Sequence, residues 1–294
     1  MSVRRIFALA FGVSVLVAGV LVAAAIWGVS LGGPLIALWE ALALAGLAAG
    51  LFWFLADRLL VARLADRRSL PARPEFYDFQ DLNQPMHWDE MEGRALKDLS
   101  YVVFDTETTG LYPSKGDEII SIAAVRVRDG EVDEADIYSR LVNPGCVIPK
   151  ESIKYHGITD DMVAEEDAIA AVLPSFRDYV GDAILVAHNA AFDMKFLKLK
   201  EEATGVAFPN LVLDTLLISV FLDHESHNHT LDGIAQQMGI TIEGRHTALG
   251  DAVATAKVFV KMLGRMEGRG ITSLRRVVEA SSKIEHVRKM QERF

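Results

Sequence analysis

The chain has 294 residues, 51% of them hydrophobic and 24% charged, and a formal net charge of −10. That apolar content, with 14 Phe and 4 Trp, excludes a wholly disordered or collagen-like chain, and a single cysteine, Cys146, excludes a disulfide framework. The acidic excess lies beyond residue 97, so this part lacks the broad positive field of a protein that coats nucleic acid nonspecifically; any grip on a polyanion there must be local, short-ranged or metal-mediated.

The first segment is apolar. Ile6 to Trp27 carries no charge and is long enough, as a helix, to cross roughly 30 Å of hydrocarbon. Gly28 to Pro34 reads as a tight turn rich in helix breakers. Leu35 to Ala56 is a second apolar stretch, interrupted only by Glu40, which falls near the interface if the helix starts at Pro34. Trp27, Trp39 and Trp53 fall near the proposed ends. The expectation is a two-helix transmembrane hairpin over residues 1–60, with the lipid bilayer as partner through residues 6–56. Arg4 and Arg5 precede it and Arg58, Arg63, Arg67, Arg68 and Arg73 follow it, so both termini and everything after the hairpin belong on the cytoplasmic side of the inner membrane. Two export readings compete: a signal peptide cleaved near Ala23-Ala24-Ala25, and a twin-arginine signal at Arg4-Arg5. The second apolar segment, which would survive cleavage, speaks against both. Residues 61–98 read as a linker, first basic, then polar and aromatic without clear periodicity.

From Leu99 the pattern becomes that of an α/β body. Tyr101 to Phe104 suits a buried strand ending at Asp105. Ile119–Arg128 and Ala135–Val142 flank Asp129-Gly130, a strong hairpin signal. Ala168–Val180 is expected as a helix, Ala183–Ala187 as a buried strand, and Ala190–Ala203 as a second helix. Leu211–Leu213 then forms a short strand, with helices at Thr215–Leu222, Leu231–Met238 and Thr247–Met266. The early antiparallel hairpin followed by strand–helix alternation predicts a mixed sheet flanked by helices. Residues 268–294 are expected to add an amphipathic C-terminal helix.

Three segments carry candidate chemistry. Asp105 and Glu107, two apart in extended backbone, point to the same side and repel unless protonated or bridged by cations. His188-Asn189-Ala190-Ala191-Phe192-Asp193 follows a strand and opens a helix, where open α/β sheets place ligands. His246-Thr247-Ala248-Leu249-Gly250-Asp251 opens another helix. Each acid alone has a bland explanation as a loop or helix-terminus carboxylate. Together, four acids and a histidine suit a site with two divalent cations, Mg²⁺ or Mn²⁺, that clamp the oxygens of an in-line phosphodiester displacement, with a histidine able to deprotonate water. The ions supply the positive charge that the acidic body lacks.

Phe104-Asp105-Thr106-Glu107-Thr108-Thr109-Gly110-Leu111 and the two histidine-led segments resemble the three exonuclease motifs of the DEDDh, DnaQ-like 3′–5′ exonucleases, across about residues 99–265. The resemblance implies a ribonuclease-H-like fold, an exonuclease domain over 99–267, metal binding by Asp105, Glu107, Asp193 and Asp251, and His246 as general base. It implies 3′ ends of single-stranded DNA or RNA as partners, contacted by the backbone around Thr108, Thr109 and Leu111, by Ile158 in Tyr155-His156-Gly157-Ile158-Thr159, and by His188. Asp214 is expected to be structural, residues 223–229 a solvated loop rather than a metal site, and Lys195, Lys198 and Lys200 a charged helix face. The competing classes are a membrane-tethered interaction or sensory module on the same fold and a phosphodiesterase of small nucleotides.

Overall fold

The computed structural model describes Met91, residues 93–226 and residues 228–280. The expected hairpin, most of the linker, His227 and residues 281–294 lie outside the described residues. Among those described, no helix is long and apolar enough to cross a membrane.

Among the described residues the sheet has five strands: β1 (Tyr101–Thr108), β2 (Ile119–Arg128), β3 (Glu131–Leu141), β4 (Ile184–Ala187) and β5 (Val212–Asp214), in the spatial order β3-β2-β1-β4-β5. The pairs β1–β2 and β2–β3 are antiparallel, whereas β1–β4 and β4–β5 are parallel, which is the expected mixed sheet. Asp129 and Gly130 make the hairpin turn with φ of 52° and 75°. Positive φ at both central residues matches the right-handed twist of the flanking strands. β3 begins at Glu131, four residues earlier than the alternation predicts, because pairing with β2 continues through its charged and largely exposed first half. Such charge on an edge strand discourages further pairing.

The helices are α1 (Lys150–His156), α2 (Asp160–Val163), α3 (Ile169–Val180), α4 (Ala190–Thr204), α5 (Thr215–Leu222), α6 (Leu231–Gln237) and α7 (Ala248–Glu267). Those from α3 onward fall within two residues of the expected bounds. Helices α1 and α2 are additions; at seven and four residues they are too short to show a 3.6-residue period. They cover a small apolar cluster of Ile120, Ile148, Ile158 and Val163.

Alternation along β1 decides what each face holds. Tyr101 and Val103 face the main core, built with Val125, Val127, Ile184 and Val186 against α7. The Tyr101 ring meets Phe259 of α7 edge-on, with centroids 4.9 Å apart. The intervening Phe104 faces the other way, 6.0 Å from Phe176 of α3. Asp105 and Glu107 continue the α7-facing series, and Thr106 continues the opposite one. The segment after α7 turns at Gly270, with φ 74°. Residues 274–280 are helical, and the buried Leu274 and Val277 join the main core.

Candidate active site

β1 does not stop before its acids, as its apolar run suggests. It carries Asp105 and Glu107 within the strand, opposite the small Ala123 and Ser121 of β2. Both acids are half-buried. Asp251 joins them from the first turn of α7, buried at 6% exposure. Asp105, Glu107 and Asp251 each offer a ligand oxygen within 4.8 Å of the others. Three hard oxygen donors so close, with no sulfur or imidazole among them, fit a magnesium- or manganese-type ion.

Asp193 comes from α4, on the opposite face of β1. Its Oδ1 accepts hydrogen bonds from the Thr106 amide (3.2 Å) and the Thr106 hydroxyl (2.6 Å). It is thus moored to the residue between Asp105 and Glu107. Asn189, at the start of α4, has φ of 65°, and its amide donates to Asp214 Oδ1 at 3.0 Å. The same oxygen accepts from the Leu216 amide at 2.9 Å, capping α5. Asp214 is therefore a structural carboxylate that joins the ends of β4 and β5. His188 Nδ1 lies 3.0 Å from the Thr215 hydroxyl.

His246 stands just before α7, with φ of 61°. Thr247 is the cap, its hydroxyl accepting from the Gly250 amide at 3.1 Å and donating to the Gly244 carbonyl at 2.7 Å. The loop lies so close to the helix that a Cβ on Gly250 would overlap the carbonyls of Gly244 and Glu243. Glycine is what lets this loop reach the acids. The exposed Tyr155 ring on α1 faces His246 edge-on, with centroids 6.3 Å apart.

Arg245 and Asp232 belong to the site although sequence reading passed over both. The only available signal was a cation directly preceding the third motif. Arg245 donates to both oxygens of Asp232 and, through Nη1, to Asp251 Oδ2. Burial pushes the Asp251 carboxyl above the usual carboxylate range, while Arg245 and then His246 pull against it. Hydrogen bonds from Arg245 hold Asp232 below that range.

The expected substrate contacts vary in setting. The Thr108 hydroxyl donates to the Gly110 carbonyl at 2.7 Å, and the Thr109 hydroxyl lies 3.3 Å from Asp117 Oδ1 and accepts from the Glu118 amide at 2.9 Å. These side chains brace the loop after β1. Ser152 of α1 also donates to the Thr109 carbonyl, at 2.6 Å. Leu111 is 40% exposed, whereas Ile158 is buried in the small cluster beside α1. The exposed Cys146 neighbours Glu118, Asp117 and Asp160.

Two further expectations can be placed. His229 is not part of a solvated loop: it is 2% exposed, 2.8 Å from the Ser219 hydroxyl and 3.1 Å from the Ser226 carbonyl. Its ring anchors the 223–229 segment to α5. Lys198 pairs with Glu201, and Lys200 with Glu118, as befits a charged helix face.

Residues 102–259 match the exonuclease family RNase_T. A DNA polymerase III subunit epsilon-like protein of Rhodobacter capsulatus is 49% identical over 180 residues, covering 60% of this chain and 26% of the relative. A PolC-type DNA polymerase III of Staphylococcus haemolyticus is 41% identical over 181 residues, covering 61% and 12%. The chain thus spans a minor part of each relative's length. Among solved structures, the nuclease domain of 3′hExo, a DEDDh family member bound to rAMP, superposes with a TM-score of 0.52 at 20% identity, covering 58% of this chain and 94% of that one. Exonuclease I of E. coli in complex with a dA16 oligonucleotide gives 0.51 at 18% identity, covering 58% and 42%. These two likenesses establish the fold, and with more than half of its length matched by the family model, the chain belongs to the exonuclease family.

Proposed function

We propose that the protein is a metal-dependent 3′–5′ exonuclease that hydrolyses phosphodiester bonds at free 3′ ends of single-stranded DNA or RNA and releases nucleoside 5′-monophosphates. The observation that carries this reading is the convergence of Asp105, Glu107 and Asp251 within 4.8 Å at the exit of β1. Asp105, Glu107 and Asp251, joined by Asp193, which Thr106 holds from the other face of β1, would hold two divalent ions; when bound, such ions polarise the scissile phosphate and lower the pKa of water. His246 takes the proton of the attacking water on an imidazole nitrogen. It stands just before α7, next to the Thr247 cap, within electrostatic reach of Asp251. Leu111 and the backbone of Thr108 and Thr109 line the approach to the terminal nucleotide. Ile158, buried in the apolar cluster beside α1, and His188, just after β4, are the remaining candidate contacts.

The hairpin over residues 6–56 enters the same proposal as a membrane anchor. It rests on two apolar stretches, the second interrupted only by Glu40, and the basic residues that flank them, and it would put the exonuclease domain on the cytoplasmic face of the inner membrane. The C-terminal segment continues the domain through Leu274 and Val277.

The test uses the full chain in detergent with Mn²⁺ on matched DNA and RNA oligonucleotides with free or blocked 3′ ends. Stepwise shortening of the free-ended strands alone is expected, and Asp105→Ala abolishes it. Undiminished activity in that variant refutes the site. Cleavage of mononucleotide triphosphates in place of strands points to the small-nucleotide reading, and metal binding without turnover to the non-catalytic one. Release of the protein from membranes by alkaline carbonate would remove the anchor.

A further inference from the structure

The acid cluster already contains a cation of its own. Arg245 reaches it from the loop before α7, and its guanidinium is shared between two carboxylates of different standing. Asp232, on the first turn of α6, has a side chain 60% exposed; it takes the fork, with Nε 2.9 Å and 3.1 Å from its two oxygens and Nη2 2.9 Å from Oδ2. Asp251, whose side chain is 8% exposed, takes only Nη1, on Oδ2. Its other oxygen, Oδ1, is buried and has no hydrogen-bond partner among the described residues. One carboxylate oxygen thus faces a protein cation, and its twin is left for another donor or ion.

Asp105, Glu107 and Asp251 crowd negative charge into a few ångströms, a arrangement that is unfavourable until a cation enters. A guanidinium is permanently charged and its planar fork matches a carboxylate. Asp105 also lies within electrostatic reach of Arg245. Arg245 therefore does part of what a divalent ion would do, at one of the same ligands.

We propose that Arg245 is a built-in counter-cation that neutralises Asp251 when metal is absent and competes with the incoming ion for that carboxylate, while Asp232 limits the competition by holding the fork at the rim. This rests on the metal-dependent reading of the cluster and deepens it, because Arg245 then sets how tightly the site loads. A cation next to a metal site weakens binding by direct repulsion and by occupying a ligand. Removing it therefore tightens binding. Neutralising Asp232 releases the whole fork toward the acids and has the opposite effect.

The experiment measures Mn²⁺ binding to the full chain by the loss of the free-ion paramagnetic resonance signal, without nucleic acid. Unfolding temperature with and without Mn²⁺ is recorded in parallel. Arg245→Gln is expected to bind Mn²⁺ about tenfold more tightly than the wild type, the order of one screened charge–charge repulsion. Its metal-free form unfolds at a lower temperature and gains more from Mn²⁺. Asp232→Asn binds more weakly than the wild type, and Arg245→Lys, which keeps the charge, stays nearer to it than Arg245→Gln. If Arg245 only props Asp251 in place, both Arg245→Gln and Asp232→Asn weaken binding, and that result overturns the proposal. Unchanged affinity in both overturns it as well. Should Arg245→Gln fail to fold, Asp232→Asn alone decides, since tighter or equal binding in that variant contradicts the competition. A wild type that binds no Mn²⁺ refutes the metal reading itself, a failure distinct from the others.

Discussion

The starts of α4 and α7 are built to one local plan on opposite faces of β1. Each has a histidine five positions before an aspartate, a residue of positive φ at or just before the helix, and the acid in the first turn. Their surroundings differ. Asp193 is held by the amide and hydroxyl of Thr106, and Asp251 by the guanidinium of Arg245. His188 rests on Thr215, whereas His246 stands beside an exposed tyrosine. At the position before the acid, α4 carries the large buried Phe192 and α7 carries Gly250, against which its own loop is folded. The same short pattern becomes two different acids because the neighbours come from distant parts of the chain.

Substitutions at matched positions test that contrast. The largest effect is expected between the two histidines. His246→Ala should slow hydrolysis by about 10²–10⁴-fold, the usual range for a positioned acid–base group, and His188→Ala by clearly less; equal losses would erase the distinction. Thr106→Val keeps shape but removes the hydroxyl from Asp193. A hydrogen bond to a charged group contributes about 1.5–3 kcal/mol, so urea unfolding should show a loss of that order, and an unchanged midpoint would mean that Asp193 is not held there.

Gly250→Ala should cost about 1–3 kcal/mol, as overpacking does. It should also lower kcat more than the stability loss explains, since it displaces the loop bearing His246. A normal kcat with reduced stability would show that the loop can yield without moving the ring. The smallest effect concerns His156, whose Nδ1 accepts from the Ile158 amide at 3.0 Å. Burial lowers its pKa, so its stabilising contribution is complete above the unfolded value of about 6.5 and is lost as pH falls toward the folded one. His156→Gln should therefore flatten the decline in unfolding temperature between pH 7 and pH 5. An identical slope would assign the decline to other groups.

Most of the sheet and the longer helices could be read from the chain because they obey simple periods. The Asp129-Gly130 turn, the apolar runs of β1 and β4, and the start of α7 at Thr247 all announce themselves locally. What escaped depends on tertiary partners. α1 and α2 are shorter than the period that would reveal them. The exposed first half of β3 is a strand only because β2 lies beside it. His229 looks like a solvated loop residue until Ser219 is placed next to it. At the site, the convergence of Asp105, Glu107 and Asp251 was legible in their motifs, but the pairing of Arg245 with Asp232 was not, since it spans 13 residues and only the cation before the third motif hints at it. Asp193 was legible as a candidate acid, while its mooring to Thr106 was not.

Cys146 has a practical use. It is the only cysteine in the chain, it is exposed, and the partial shielding of its sulfur from water, together with Glu118, Asp117 and Asp160, raises its pKa. Thiolate is therefore scarce at neutral pH, which slows adventitious oxidation. Near neutral pH, where the lysines stay protonated, a maleimide fluorophore would attach slowly but at one defined point beside the loop that follows β1. Such a labelled protein would report, without further mutation, on how that loop responds to ions and strands.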